Sequence, residues 1–470
     1  MLTYDLSRRK GQPLYEYLYR CIRDDIRSGV LRAGTKLPPR RAFAAHLKVS
    51  VNTIERAYGA LAADAYIEAR RGSGYYVCED QADLVSTYAA EPPEQEPVLD
   101  FKANKCSLEL FPMNVWARLM RKVLSGQDEL LLRTVPFNGL YELRRAIADY
   151  LYEFKGVRIS PSRIIIGAGT EFLYGRLLQL LGRQSVIAIE DPGSKIFADI
   201  SRSFGTLWDY IPIDQDGIQV DQLYSSRASV VHVSPANHFP TGIVMSPERR
   251  NALMKWAIAE PDRYIIEDDY DSELRYAGRS LPPLLAHDTM QKVVYMNTFS
   301  KTLVPSLRIS YMVLPDSLMD LYQKQLSFFS CSVSSFEQLT LAHFISEGYF
   351  ERHIKKLKAY YQRQRDEYRR AIEASDLALI CQADSVEVGT HFILKVNTEL
   401  QDWQIKEAAE DKGVHLVMLS DYCAVPSAGT SGQIVINFAS VEDEKFYEPI
   451  QFLEDLFRVD IEKRKHVYQP

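Results

Sequence analysis

Lys301 stands in the turn Thr298-Phe299-Ser300-Lys301-Thr302, between two apolar, β-rich runs, 293–297 and 309–314. Pro305 blocks helix continuation, so the lysine is expected on a loop joining two strands. An amine held in such a place and stripped of water is nucleophilic toward an aldehyde, the chemistry by which a lysine forms an aldimine with pyridoxal phosphate (PLP). Thr298, Ser300 and Arg308 are close enough in the chain to hold a phosphate through hydroxyl and bidentate guanidinium hydrogen bonds. A Ser-Lys pair at a strand end is also an ordinary surface feature, and alone it decides nothing.

Other reactive groups follow further strand-like runs. After 163–166 comes Gly167-Ala168-Gly169-Thr170-Glu171, a glycine turn opening a helix, where backbone N–H groups can approach a phosphate. After Tyr264-Ile265-Ile266 comes Glu267-Asp268-Asp269-Tyr270-Asp271. A buried carboxylate there would keep a pyridine nitrogen protonated, and a tyrosine hydroxyl would bond a ring oxygen. The same cluster also suits a metal site or a solvated turn, and its spacing leaves the choice between Asp268 and Asp269 open. Strand-like runs at 163–166, 185–189, 230–233, 264–267, 293–297 and 309–314 alternate with helical stretches such as 171–181 and 247–259. Such alternation predicts an α/β fold with a mainly parallel, buried sheet and a ligand at the carboxyl ends of its strands.

Thr-Phe-Ser-Lys followed by Leu-Val-Pro-Ser-Leu-Arg resembles the PLP-lysine segment of fold-type I aminotransferases, in the form found in MocR/GabR-type bacterial transcription regulators. These are GntR-class winged-helix proteins fused to an aminotransferase-like domain. The resemblance implies that Lys301 carries PLP, that Gly169, Thr170, Thr298, Ser300 and Arg308 surround its phosphate, and that Asp268 and Tyr270 meet its ring nitrogen and ring oxygen. The turn Ser234-Pro235-Ala236-Asn237-His238-Phe239-Pro240-Thr241-Gly242 resembles the regulators' version, because ordinary aminotransferases usually have asparagine where this chain has Phe239. His238 then reads as a wall of the pocket.

Two departures bear on activity. Ser194 stands where the family generally has a tyrosine over the PLP ring, and Val435 aligns with the arginine that clamps an amino acid carboxylate. Each charge-assisted hydrogen bond lost with that arginine is worth about 1.5–3 kcal/mol. Amino acid effectors should therefore bind weakly, and transamination is expected to be at most a slow half-reaction.

A second chemistry lies at the N-terminus. Residues 1–78 hold 14 Lys+Arg against 7 Asp+Glu, a net +7, while the rest of this 470-residue chain holds 42 against 55, a net −13. A basic head on an acidic body is the footprint of nucleic-acid binding confined to one end. Leu14, Leu18, Ile22 and Ile26 share a helical stripe, a short helix follows at 42–47, and Ile54, Ala57, Tyr58 and Leu61 mark another from Asn52 to Ala63. Arg70-Arg71-Gly72-Ser73-Gly74 then forms the tip of a β-ribbon. This resembles a GntR-class winged helix-turn-helix, which assigns Arg41 to DNA phosphate, Asn52 and Thr53 to bases or nearby phosphates, Arg56 to support, and Arg71 with Gly72 to the wing. Val51 replaces an arginine common in the family, so the operator sequence does not carry over.

Residues 79–98 contain six acidic side chains, no Lys or Arg, and Pro92, Pro93 and Pro97, which predicts a linker, with an acidic helix at 80–90 as the alternative. The expected layout is a DNA-binding head at 1–78, this linker, and an aminotransferase-like body at 99–470 whose small α+β subdomain starts near 340. The six cysteines form no C-x-x-C pair, so neither a zinc cage nor a disulfide framework is expected. No apolar run is long enough to span a bilayer, and the N-terminus is charged where a leader would be apolar, so a cytoplasmic location is expected. The whole reads as a PLP-dependent, homodimeric regulator of operator DNA whose body senses PLP or an amino-acid-related effector. The rival readings are an aminotransferase with a vestigial DNA head, and a DNA-binding protein whose body is a scaffold without cofactor.

Overall fold

In the computed structural model the described residues are 2–9, 11–70, 72–78, 97–101, 110–126, 129–276, 278, 281–384, 387–426, 428–440 and 447–467. They belong to two compact units, Met1–Glu96 and Pro97–Pro470. Arg71 and residues 79–96, with the linker and acidic helix expected there, lie outside the described residues.

The head packs α1 (Leu14–Arg27), α2 (Arg40–Leu47) and α3 (Val51–Ala63) beside an antiparallel hairpin, β1 (Ile67–Arg70) and β2 (Gly74–Val77). The four-residue stripe of α1 buries Leu18, Ile22 and Ile26 against Ile54, Ala57, Tyr58 and Leu61 of α3. Ser50 starts α3 by accepting the Thr53 N–H at 3.1 Å, an N-cap that satisfies one of the otherwise unpaired donors of the first turn. The hairpin tip needs Gly72, whose φ of 76° other residues adopt only at a cost.

In the body, β3 (Leu99–Asp100), α4 (Met113–Ser125) and α5 (Tyr141–Lys155) lead into the βα alternation. It comprises β4 (Ile164–Gly167), α6 (Thr170–Leu181), β5 (Val186–Asp191), α7 (Lys195–Phe204), β6 (Leu207–Asp214), β7 (Gly217–Ile218), α8 (Val220–Ser225), β8 (Val230–Val233), α9 (Pro247–Ile258), β9 (Tyr264–Asp268), β10 (Val293–Thr298) and β11 (Ser310–Val313). The sheet order is β4-β11-β10-β9-β8-β5-β6-β7. Pairings from β10 through β9, β8 and β5 to β6 are parallel. β11 is antiparallel to both its neighbours, because the loop carrying Lys301 returns directly beside β10 and has no crossover helix to carry it back to the starting edge. Central strands such as β8, β10 and β11 are buried residue after residue, as a sheet covered on both faces requires.

The remainder is α10 (Asp316–Leu326), α11 (Ser335–Ser346), α12 (Tyr349–Ala374), β12 (Cys381–Ala383), β13 (His391–Val396), α13 (Asp402–Glu410), β14 (Val414–His415), β15 (Gln433–Asn437), α14 (Tyr447–Leu456) and α15 (Arg458–Val467). β12, β13 and β15 form a second sheet, and β14 pairs in parallel with β3 at the start of the body. The long α12 joins the two cores: Phe350 packs in the one beneath the large sheet, and Leu357, Tyr361, Tyr368 and Ile372 pack in the other. Among the described residues no helix is long and apolar enough to cross a membrane.

Candidate functional site

Strand register assembles the site in the body. Asp268 pairs beside Met296, Thr298 faces Ser310, and Ser310 faces Gly167. The motif-bearing ends of β9, β10, β11 and β4 therefore lie side by side, although the sequence separates them widely. They open on a cleft of about 340 Å³ whose wall includes Thr170, Asp268, Tyr270, Thr298, Ser300, Lys301 and Arg308. Gly169 stands behind this wall with φ 102°, and a Cβ there would strike the Arg308 guanidinium.

Burial pulls the Lys301 amine below the ordinary lysine range, against the charges of Asp271 and Asp268, which raise it. Asp268 is buried at the end of β9, and its Oδ1 has no hydrogen-bond partner. Burial, aided by the charge of Asp269, pushes its carboxyl up to about 7. Asp269 turns the other way. Its Oδ2 lies 2.6 Å from Lys155 Nζ and accepts the Tyr295 hydroxyl at 2.6 Å. Burial would raise its pKa, but Lys155 outweighs that and the group stays below its usual value. A buried cation 114 residues upstream thus sets the neighbouring aspartates apart, with Asp269 paired to it and Asp268 left on the cleft.

Residues that the motifs did not single out complete the wall. Asn237 donates from Nδ2 to Asp271 Oδ2 at 2.8 Å and to the Tyr270 hydroxyl at 3.2 Å, fixing both. It sits two positions before Phe239, within a turn the sequence had flagged without assigning it a role. His232 on β8 lies 3.8 Å from Asp268 Oδ2 through Nε2, its ring 3.9 Å from that of Phe197. Burial lowers His232 to about 3, so the imidazole is neutral. Phe197 lies one turn along from Ser194 on the same side of the cleft, and it supplies an aromatic wall where Ser194 has none. His238 also lines the cleft, neutral at about 3 through burial, with Nδ1 2.7 Å from the Thr241 hydroxyl. Its Nε2 is 3.6 Å from Glu190, whose carboxyl burial raises to about 8. A plain Glu or His inside a strand carried no sequence signal.

Three buried carboxylates with raised values, Asp268 and Glu267 at about 7 and Glu190 at about 8, make a pH prediction. A folded value above the unfolded one means stability present at low pH and lost as pH rises through the folded value. Buried His232, His238 and His391, lowered to about 3, 3 and 4 from 6.5, act with the opposite sign below about 6.5, so cofactor-free protein is expected to melt at progressively lower temperature as pH rises from about 6.5 to about 8. Thermal denaturation across that range checks it, and a flat profile would contradict these burial effects.

At the other end of the cleft the Thr298 hydroxyl is engaged, accepting the Ser310 hydroxyl at 2.8 Å and the Ser300 N–H at 3.2 Å. Ser300 Oγ has no partner. Arg308, in the left-handed region at φ 48°, pairs with Glu171 at 2.6 Å on the first turn of α6, and both side chains are about half exposed. Hydroxyls, a guanidinium and a helix N-terminus so gathered can bind a phosphate dianion. Val435 on β15 lines a smaller cavity that meets the cleft at Lys301. Among the described residues no group of three or more His, Cys, Asp or Glu side chains is placed to hold a metal.

In the head, Arg41, Asn52 and Arg56 are exposed and Thr53 is partly so. Thr53 Oγ1 lies 2.7 Å from Ser50 Oγ within the cap of α3, and Arg56 stacks on Tyr15 with its guanidinium carbon 3.9 Å from the ring centroid. Arg40 pairs with Glu55 across α2 and α3.

Residues 14–77 match the bacterial regulatory proteins of the gntR family, and residues 96–448 match aminotransferase class I and II. The chain is 33% identical to the HTH-type transcriptional regulator YdeL of Bacillus subtilis over 97% of this chain and 100% of that protein. It is 31% identical to the probable rhizopine catabolism regulatory protein MocR of Rhizobium meliloti, over 96% of this chain and 95% of that one. The chain belongs to the MocR-type regulators. Its members join a GntR head to an aminotransferase-like body, and this regulator accordingly is a DNA-binding transcription factor. A kynurenine aminotransferase from Pyrococcus horikoshii superposes with TM-score 0.69 at 22% identity, covering 78% of this chain and 92% of that one, which shows the fold-type I architecture of the body. That fold is typically PLP-dependent.

Proposed function

We propose that this regulator binds PLP through Lys301 and uses the occupancy of that site to set how its head binds operator DNA. The observation that carries the reading is the convergence on one cleft of Lys301 with buried, unpartnered polar atoms, among them Asp268 Oδ1, Ser300 Oγ and the Nε2 atoms of His232 and His238. Unpaired buried polar groups are costly, and a ligand that satisfies them recovers that cost. PLP fits them. Asp268 would face the ring nitrogen, Tyr270 the ring oxygen, and Ser300, Thr170, the backbone at Gly169 and Arg308 the phosphate, while Thr298 orients Ser300 and Ser310. The cleft volume lies within the range of small-molecule sites. When bound, PLP supplies an aldehyde for amines and an electron-accepting ring. The chain's own part is to hold Lys301 dry, with its amine below the ordinary lysine range, to keep His232 beside Asp268, and to keep Tyr270 aimed through Asn237. The regulator acts as a homodimer in the cytoplasm, where effector binding shifts the balance between DNA-competent arrangements.

An electrophoretic shift on the gene's own upstream DNA, with and without PLP, tests this: operator affinity is expected to change with PLP. If it does not change while the protein takes up PLP, the body is not the sensor. The rival, an aminotransferase with a vestigial head, requires steady turnover of an amino donor. Val435 in place of a carboxylate-binding cation speaks against it.

In the head, Asn52 at the N-terminal end of α3 is the base reader, beside Val51, whose exposed methyl groups suit a thymine methyl. Asn52→Ala is expected to lower affinity for the operator by about 1–3 kcal/mol and to relax sequence preference at one base pair. Arg41→Ala should weaken all sequences alike and reduce the salt slope by about 1. Thr53, Arg56 and Gly72 complete the surface, with Thr53 and Arg56 acting mainly through Ser50 and Tyr15, and the family resemblance adds Arg71 as a wing contact. Binding measured against operator and scrambled DNA at several salt concentrations separates the two classes.

A further inference from the structure

The smaller cavity, about 90 Å³, opens beside Lys301. Val417, Val435 and Phe239 give it apolar lining, Phe239 lies edge-on to His391 with ring centroids 5.1 Å apart, and Asp271 and His391 line it with the polar side chains of Tyr270, Thr390, Tyr422 and Asn437. Among the described residues that line it, Lys301 is the single cation. Asp271 is buried, which pushes its carboxyl well above the usual carboxylate range, and its Oδ2 takes one hydrogen bond, from Asn237. His391 is 5% exposed, and burial lowers it to about 4, so the ring is neutral. The Pro240 carbonyl takes a hydrogen bond from the ring, and Nε2 is left without a partner. A neutral imidazole whose one N–H is already committed presents its other nitrogen as an acceptor. The cavity therefore offers two acceptors, a carboxylate and an imidazole nitrogen, and an apolar floor.

We propose that this cavity selects a small primary amine lacking a carboxylate, with its nitrogen toward Asp271 and His391 and its carbon chain against Val435 and Val417. The proposal rests on Lys301 carrying PLP. With its nitrogen committed to the cofactor, Lys301 is no longer an ammonium with three donors for Asp271, and that carboxylate is left to a donor from outside. A ligand carboxylate in the same place would shed its hydration and meet no other cation. An amine gains a charge-assisted hydrogen bond instead. The size of the cavity, below the roughly 150 Å³ that accommodates benzene in an apolar core, limits the chain to a few carbons.

Ethylamine and L-alanine differ only by the carboxylate, so they are the probes. Protein loaded with PLP is first reduced with borohydride in one aliquot, and the labelled residue is identified by mass spectrometry. Calorimetric titration of the unreduced remainder is then expected to show ethylamine binding at least about tenfold more tightly than alanine. Asp271→Asn, which keeps the shape of the side chain, should weaken ethylamine about tenfold. Val435→Arg should raise the affinity for alanine about tenfold. Label on Lys301 together with equal binding of the two probes, tighter binding of alanine, or binding of neither overturns the amine proposal and leaves the PLP reading standing. The proposal is likewise overturned if Asp271→Asn binds ethylamine as the unaltered protein does. Absence of label on Lys301 overturns both readings together.

Discussion

Lys301→Ala protein is expected to take up no PLP that borohydride can fix to the chain, and its operator affinity is expected not to respond to added PLP. The amine sits on the direct return from β10 to β11, in a cleft where Asp268, Tyr270 and Ser300 surround it. No other lysine lines that cleft among the described residues, so alanine leaves no nucleophile to replace it. The fold should survive, because the side chain lines a cavity and fills no core, and its loss also removes the desolvation of a buried amine. Mass spectrometry after reduction and electrophoretic shift with and without PLP read the two consequences separately. If operator binding by Lys301→Ala still follows PLP, the sensing site lies elsewhere. If the unaltered protein binds operator with no dependence on PLP or on Lys301, the body is a scaffold.

Lys155→Met is expected to be the most destabilising single change near the site, by about 3–5 kcal/mol. Lys155 is almost fully buried, with Nζ 2.6 Å from Asp269 Oδ2 and 2.9 Å from Glu273 Oε1, and it donates to the Ser272 hydroxyl at 2.6 Å. Methionine would leave two carboxylates buried without a cation, and a stranded charge costs far more than the intact pair contributes. Combining Lys155→Met with Asp269→Asn and Glu273→Gln should recover most of the loss, because the amides need no counter-charge. Urea denaturation of the unaltered protein, Lys155→Met and the triple variant measures both effects, and a Lys155→Met loss under about 1 kcal/mol would mean that water reaches the cluster. The pH sign follows from the depressed value of Asp269. Its contribution is present above the unfolded carboxylate range and is lost as pH falls through the lower folded value, so Lys155→Met should flatten the acid limb of the stability curve. The change also bears on the cleft. With Lys155 gone Asp269 keeps the Tyr295 hydroxyl but loses its cation, and burial would raise its carboxyl as it raises that of Asp268.

Much of this was legible in the residues. The four-residue stripe of α1 and the helical period of α3 give their buried faces directly, because a helix in a small head has one core to face. Strands β8 and β10 were legible as largely apolar runs, since a sheet covered on both faces is mostly apolar on both. The strand β6 was not. It reads Leu-Trp-Asp-Tyr-Ile-Pro-Ile-Asp, lies near the sheet margin and is only partly buried, so it carries neither a continuous nor a cleanly alternating pattern. The parallel pairing of β14 with β3 was equally hidden: two residues from the start of the body join two from near its end, and pairs so short have no periodicity to read.

What the sequence alone determined is the inventory of chemistry: a lysine on a strand-to-strand loop, a glycine turn at a helix start, an acidic run after an apolar strand, valine in place of a cation at 435, and a basic head. Local composition suffices for these, because each depends on neighbours within a few residues. Only the tertiary structure decided that Asp268 and not Asp269 lines the cleft with Lys301, that Asn237 bonds Asp271 and Tyr270 while His232 lies beside Asp268, that Phe197 lines the same cleft as Ser194, and that Asp271 and His391 share a cavity with Val435. The physical reason is that direction and charge state inside a protein are set by burial and by partners from distant segments. Lys155 reaches Asp269 from α5, and neither residue's own surroundings in the chain contain the other.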